Sequence, residues 1–157
     1  MAPTERLIAI DPGRDMGIAL FQNDFLVQAG LLQAPNLRMM TKGLFRLCDE
    51  FQPTRGIIEI PRIYPYRRQP GDPNHLITLS LRAGIAIAAI SPFTEAKTIH
   101  PQKWKGQRPK SADNRYVLSI LNSEELGVVQ KCGVPSSKQH NVLDAIGIGL
   151  WATGRRN

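Results

Sequence analysis

Apolar side chains fill every position of Leu7-Ile8-Ala9-Ile10, and the run stops on Asp11 before Pro12-Gly13. Two further apolar runs follow across Asp/Gly/Asn turns, so the pattern predicts a meander of three short strands over 5–11, 16–22 and 25–33. From Pro35-Asn36 the spacing of apolar positions changes to three and four. Leu37, Met40, Leu44, Leu47 and Phe51 then predict an amphipathic helix to about Phe51. Gly56–Ile60 reads as a fourth strand, apolar except for Glu59 and ended by Pro61. Prolines 61, 65, 70 and 73 make 61–74 an irregular loop. Asn74 is placed to cap a helix to about Ile90 that carries Leu76, Leu79, Ala83, Ile87 and Ile90 on one face. Ala96–Ile99 reads as a fifth strand, Ser111 as the cap of a helix to about Asn122, and Ser136 or Ser137 as the cap of a final helix through Trp151. The order βββαβαβαα predicts an α/β protein, a single domain over 1–157 with helices on both faces of the sheet.

Composition narrows the function. Twenty Lys and Arg against thirteen Asp and Glu give a net charge of +7, which favours a polyanionic partner, nucleic acid first. Cys48 and Cys132 form no CxxC pair and fit a reducing compartment. The chain start lacks an apolar segment behind a basic one, and the run Ala83–Ile90 is too short to span a bilayer. The expectation is a soluble cytoplasmic protein with no membrane role. Only Gly154-Arg155-Arg156-Asn157 reads as disordered.

Three acids interrupt apolar segments: Asp11 and Glu59 in strands, and Asp144 in the final helix. Buried carboxylates repel one another and protonate unless a cation meets them. One shared metal site would serve all three, whereas separate pairing with basic residues would serve each alone. His140 and Asn141 lie four and three residues before Asp144, on the same helix face. His140 offers a ring nitrogen or a proton carrier, and Asn141 an amide oxygen. Oxygen ligands select Mg²⁺ or Mn²⁺, and two such ions suit phosphodiester chemistry by activating water and steadying the leaving 3′ oxygen. Asp11 would bridge the two ions, with Glu59 and Asp144 holding one each.

These residues resemble the RuvC-type Holliday junction resolvases. The likeness rests on Ile8-Ala9-Ile10-Asp11-Pro12-Gly13 with Gly17, on Ile57-Ile58-Glu59, and on Leu81–Ala89 as a long central helix. It continues in Pro101-Gln102-Lys103-Trp104-Lys105 with Lys110-Ser111, and in His140-Asn141-Val142-Leu143-Asp144-Ala145. The resemblance implies an RNase H-like fold with a five-stranded mixed sheet. It implies a homodimer that cuts four-way DNA junctions by paired symmetric nicks leaving 5′-phosphates, in a bacterial or phage-infected bacterial cell. It also implies that Asp11, Glu59 and Asp144 are metal ligands. The family places an acid, or in some members a histidine, three residues before the last aspartate. Here that position is Asn141, beside His140.

Basic segments complete the picture. Lys97, Lys103, Lys105, Arg108, Lys110 and Arg115 face one acid, Asp113, as a footprint for phosphates. Lys105 and Lys110 match the family's basic residues near the scissile strand, and Lys105 there would neutralise charge in the transition state. Arg62, Tyr64, Tyr66, Arg67 and Arg68 follow Glu59 and combine backbone contacts with stacking on an unpaired base. By resemblance, Tyr64 or Tyr66 would wedge the junction centre; the alternative is a loop anchor on the prolines. Trp104 and Trp151 read as packing residues, Asp15 as a turn residue, and Gly147 and Gly149 as the close approach of the last helix to the sheet. Three other functions stay open. They are an RNase on RNA-containing substrates, a catalytically weak junction-binding module and, last, an actin-like phosphotransferase, for which the chain is short.

Overall fold

The computed structural model describes residues 2–63 and 71–157. Five strands, β1 (Arg6–Asp11), β2 (Met16–Gln22), β3 (Phe25–Leu32), β4 (Arg55–Glu59) and β5 (Ala96–Ile99), form one sheet in the order β3-β2-β1-β4-β5. β1 to β3 pair antiparallel; β4 and β5 add in parallel to β1's other side. Asn23 and Asp24 both take positive φ, the twist that a two-residue hairpin between β2 and β3 requires.

The continuous apolar run of β1 follows from burial on both faces. Leu7 and Ala9 point into one core with Phe21, Ile57, Val142 and Ile146; Ile8 and Ile10 point into the other with Leu20, Leu44, Ile58 and Ala86. Helices α1 (Leu37–Phe51) and α2 (Asn74–Ile90) cover the second core. The first lies under α6 (Gln139–Ala152), which crosses β1 and β2. α3 (Pro101–Lys105) and α4 (Lys110–Ile120) pack on α6, and α5 (Ser123–Lys131) packs on β3. Alternation along a strand therefore decides where the acids go. Asp11 shares the parity of Leu7 and Ala9, and Glu59 that of Ile57, so both face α6.

Several expectations need correction. α3 and α5 are additional helices. Asn122 caps α5 in a capping box with Glu125, an Asn-x-x-Glu signal present in the sequence, and Pro101 opens α3. At α2 the cap position is Pro73, and the Asp72 side chain accepts from the Asn74 backbone N–H at 2.9 Å. Pro109 occupies the cap of α4, without a side-chain bond, and Ser136–Lys138 form a 3-10 turn ahead of α6. The buried side of α2 is Ala83, Ala86, Ala89 and Ile90.

The expected disordered end is tied down. Gly154 takes positive φ, and the Arg155 and Arg156 amides both reach back to the Leu150 carbonyl. Arg155 grips both oxygens of buried Glu125, at 2.5 and 2.8 Å, and Glu125 also accepts from the Leu26 amide at 2.8 Å. Arg156 pairs with Asp113, both side chains fully buried. Separate pairing with a basic residue is thus the fate of these two acids.

Of the two glycines in α6, only Gly149 meets the sheet: a Cβ there would lie 2.0 Å from the Phe21 ring. Gly147 faces the other way, toward Trp104 and Arg156. Close approach near Asp144 comes instead from Gly17 of β2, whose Cβ would stand 2.0 Å from the Asn141 carbonyl oxygen. Among the described residues no helix is long and apolar enough to cross a membrane.

Candidate active site

Asp11 and Glu59 end neighbouring parallel strands, where the β1–β4 register runs through Ile10 opposite Ile58. Open α/β sheets place their ligand sites at such carboxyl ends. Asp144 projects from α6 over the same ends and is close enough to repel both acids electrostatically. Burial, with added repulsion from Glu59 and Asp144, holds the Asp11 carboxyl well above its usual range, against the pull of Lys105 and Lys110. Burial likewise pushes Glu59 up to about 7; the indole of Trp104 opposes this, and Asp144 adds to it. Asp144 is raised by burial while Lys105, Lys110 and His140 draw it down. The three acids thus converge on one partly buried place where their charges work against one another.

Two side chains reach into it directly. Trp104 is buried, as a packing residue should be, and also donates from Nε1 to Glu59 Oε2 at 2.6 Å. Lys105, next in α3, approaches Asp144 Oδ1 at 3.4 Å and stands 5.4 Å from the Trp104 ring centroid. His140 and Asn141 occupy the first turn of α6, both half-buried, with the Asn141 backbone resting on Gly17. Sequence reasoning assigned no role to Arg82. From the Ala-rich α2 it donates to the carbonyls of Gly13 and Arg14, at 3.0 and 2.9 Å, and pins the turn that follows Asp11. An arginine on the packed side of a small-residue helix was the available signal.

The basic residues named from the sequence differ in what the structure gives them. Lys110 starts α4 and is exposed, within electrostatic reach of Asp11 and Asp144. Lys103 is exposed on α3. Arg108 stacks 4.1 Å above the Tyr116 ring, and Arg62 is exposed three residues after Glu59. Tyr64, Tyr66, Arg67 and Arg68 lie outside the described residues. Asp15, as expected, sits in the β1–β2 turn, where Gln33 and Lys138 hold it at 2.7 and 3.2 Å.

Among the described residues no three His, Cys, Asp or Glu side chains are arranged to hold a metal ion unaided. The donor set still fits magnesium. That ion keeps several waters and is commonly held by one or two carboxylates together with substrate phosphates. Asp11, Glu59 and Asp144 offer hard oxygen donors of that kind at one place.

No protein-family model matches the chain, and no curated protein sequence matches it. Solved structures do. RuvC of Thermus thermophilus in complex with a Holliday junction substrate is similar with a TM-score of 0.67 at 18% identity, over 93% of this chain and 90% of that one. The yeast mitochondrial Holliday junction resolvase Ydc2 gives 0.63 at 14% identity, over 99% and 80%. The manganese-containing nuclease domain of the large terminase subunit gp2 of the bacterial virus Sf6 gives 0.52 at 13% identity, over 96% and 89%. The mixed five-stranded sheet, with α1 and α2 on one face and α6 on the other, is an α/β fold of the RNase H-like type, shared with these neighbours.

Proposed function

We propose that this protein is a metal-dependent, structure-selective DNA endonuclease that resolves four-way junctions by paired symmetric nicks leaving 5′-phosphates. The observation that carries the reading is the convergence of Asp11, Glu59 and Asp144 from β1, β4 and α6, each raised by burial, beside Lys105. The fold shared with RuvC and Ydc2 supports junction DNA as the substrate.

Asp11, nearest the middle of the sheet, would bridge two Mg²⁺ or Mn²⁺ ions, with Glu59 and Asp144 each holding one. Such ions, when bound, supply an activated water and charge neutralisation at the leaving 3′ oxygen. Lys105 then places its ammonium against charge that develops on the phosphate. Asn141 or His140 supplies the remaining polar group on α6. His140, one turn before Asp144, is also positioned to carry a proton. Lys103, Arg108, Lys110 and Arg62 take the backbone phosphates, joined by Tyr64, Tyr66, Arg67 and Arg68 of the sequence that follows.

A two-fold junction invites a two-fold protein. α2 offers a face for it: Ile77 and Leu81 are 68% and 52% exposed, and exposed Gly84 and Ala88 continue the same stripe. An apolar stripe on a helix that already buries its opposite side fits a helix of a second copy. A second reading, a junction-binding module with weak catalysis, is favoured by Asn141 at the position where the resemblance implies an acid.

The test is cleavage of an immobile and a mobile four-way junction with Mg²⁺ or Mn²⁺, comparing wild type with Asp11→Asn. Nicks by the wild type, with binding but no nicks by Asp11→Asn, are expected. Binding without nicks in either metal would establish the module. Faster cutting of an RNA–DNA hybrid would move the protein to the RNase class.

A further inference from the structure

Trp104 holds one oxygen of Glu59 with a 2.6 Å hydrogen bond from a buried indole. The indole is itself fixed from several sides. The Arg156 guanidinium carbon lies 5.1 Å from its ring centroid and 5.3 Å from that of Tyr116. Asp113 neutralises Arg156, and both of these side chains are fully buried. Where the ring meets Arg156, Gly147 leaves room that no other residue would. A Cβ there would stand 2.7 Å from Trp104 Cζ3 and 2.8 Å from an Arg156 terminal nitrogen. Gly147, Arg156 and Asp113 therefore form a seat that leaves the ring little freedom.

A carboxylate without such a donor can present either oxygen, or both, to a cation. Here Oε2 already accepts the indole bond, which leaves Oε1, bonded to no partner among the described residues, as the oxygen turned to a cation. A cation against the indole face draws density from the ring and makes its N–H a better donor. Residues that orient metal-binding carboxylates in this way alter metal affinity by about 10- to 100-fold when changed.

We propose that Trp104 is a positioning residue, seated by Gly147, Arg156 and Asp113, that fixes which oxygen of Glu59 is offered to a divalent cation. The inference rests on the reading of Glu59 as a metal ligand, and the experiment separates the two. Mn²⁺ binding is measured by calorimetry for wild type, Glu59→Gln and Trp104→Phe, with circular dichroism to verify folding. Trp104→Phe keeps an aromatic ring and removes the N–H. Weaker binding by Glu59→Gln and by Trp104→Phe, the latter by about tenfold or more, is expected. If Glu59→Gln binds as wild type does, Glu59 is no ligand and the reading of the site falls. Should only Trp104→Phe bind as wild type does, the positioning role alone falls.

A second measurement leaves Trp104 untouched. The chain has two tryptophans, so Trp151→Phe makes Trp104 the sole indole emitter. Its emission is expected to shift on Mg²⁺ addition, and the shift is expected to vanish in Trp151→Phe with Glu59→Gln. An emission that ignores Mg²⁺, or a shift that survives Glu59→Gln, overturns the coupling even if Trp104→Phe fails to fold.

Discussion

Replacing Gly17 by alanine tests how the site is held together. Gly17 pairs with Asp11 across β1 and β2, and the first turn of α6 rests on it. A Cβ would lie 2.0 Å from the Asn141 carbonyl oxygen and 3.2 Å from the Ala145 Cβ. Since a carbon–oxygen contact relaxes near about 3.3 Å, the start of α6 must lift by roughly 1.3 Å. Both obstacles belong to α6, so no side-chain rotation relieves the clash. Overpacking of this kind costs about 1–3 kcal/mol. At about 2–4 °C per kcal/mol for a chain of this size, the melting temperature should fall by about 2–12 °C. Asp144 lies on the next turn of α6 and moves with it. Misplacement of a reacting group by about 1 Å costs on the order of 100-fold in turnover. The assay is a thermal melt with single-turnover junction cleavage, set beside Gly127→Ala in α5. Nothing lies within 4 Å of a Cβ at Gly127, so there alanine should stabilise by up to about 1 kcal/mol. A Gly17→Ala protein that melts and cuts like wild type would refute the argument that this contact sets the height of α6.

Other perturbations have equally definite outcomes. Asp113→Ala leaves the Arg156 guanidinium buried without its counter-charge, and urea unfolding should show a loss of about 3–5 kcal/mol. The Glu59 carboxyl sits at about 7 in the folded chain against 4.5 ordinarily, so the folded state holds a proton that the unfolded state has released. Between those values the unfolded state binds fewer protons, and metal-free stability should fall with rising pH by up to about 3 kcal/mol. Glu59→Gln should flatten that fall, and Mg²⁺ should raise the melting temperature more at pH 8 than at pH 5. Lys105→Ala should slow junction cleavage more than it weakens binding, and equal losses in a gel-shift and cleavage comparison would reduce Lys105 to a phosphate anchor. Leu81→Glu on the exposed stripe of α2 should give a monomer in sedimentation, with junction nicks no longer paired.

The strands were legible because each is a short apolar run bounded by turn residues, and strand parity alone puts Asp11 and Glu59 on one face. The position of Asp144 was legible as an acid inside an apolar helix. Less legible were the other two buried acids. Asp113 and Glu125 sit in polar surroundings in sequence, and their partners, Arg156 and Arg155, lie 43 and 30 residues away in a stretch that reads as a loose end. Only assembly of α4, α5 and the last residues brings each pair together. Trp104 is the buried packing residue expected, but its hydrogen bond was hidden for a related reason. An indole is mostly hydrocarbon, so burial accounts for it until the position of its one N–H is known. Gly17 and Gly147 matter through backbone approach between distant segments, which no local pattern encodes.

The clip at the edge strand bears on how the chain folds. β3 ends the sheet, with Phe25 56% and Val27 45% exposed, the kind of edge that invites strand addition by another molecule. Its Leu26 amide is closed off by Glu125, a partner 99 residues further along. The hairpin of β2 and β3 is local and forms early, whereas its cover arrives only with long-range closure. In the interval the edge stands open, so refolding yield should depend on protein concentration. Glu125→Ala would prolong that interval, and its mark would be aggregation during refolding out of proportion to the stability lost.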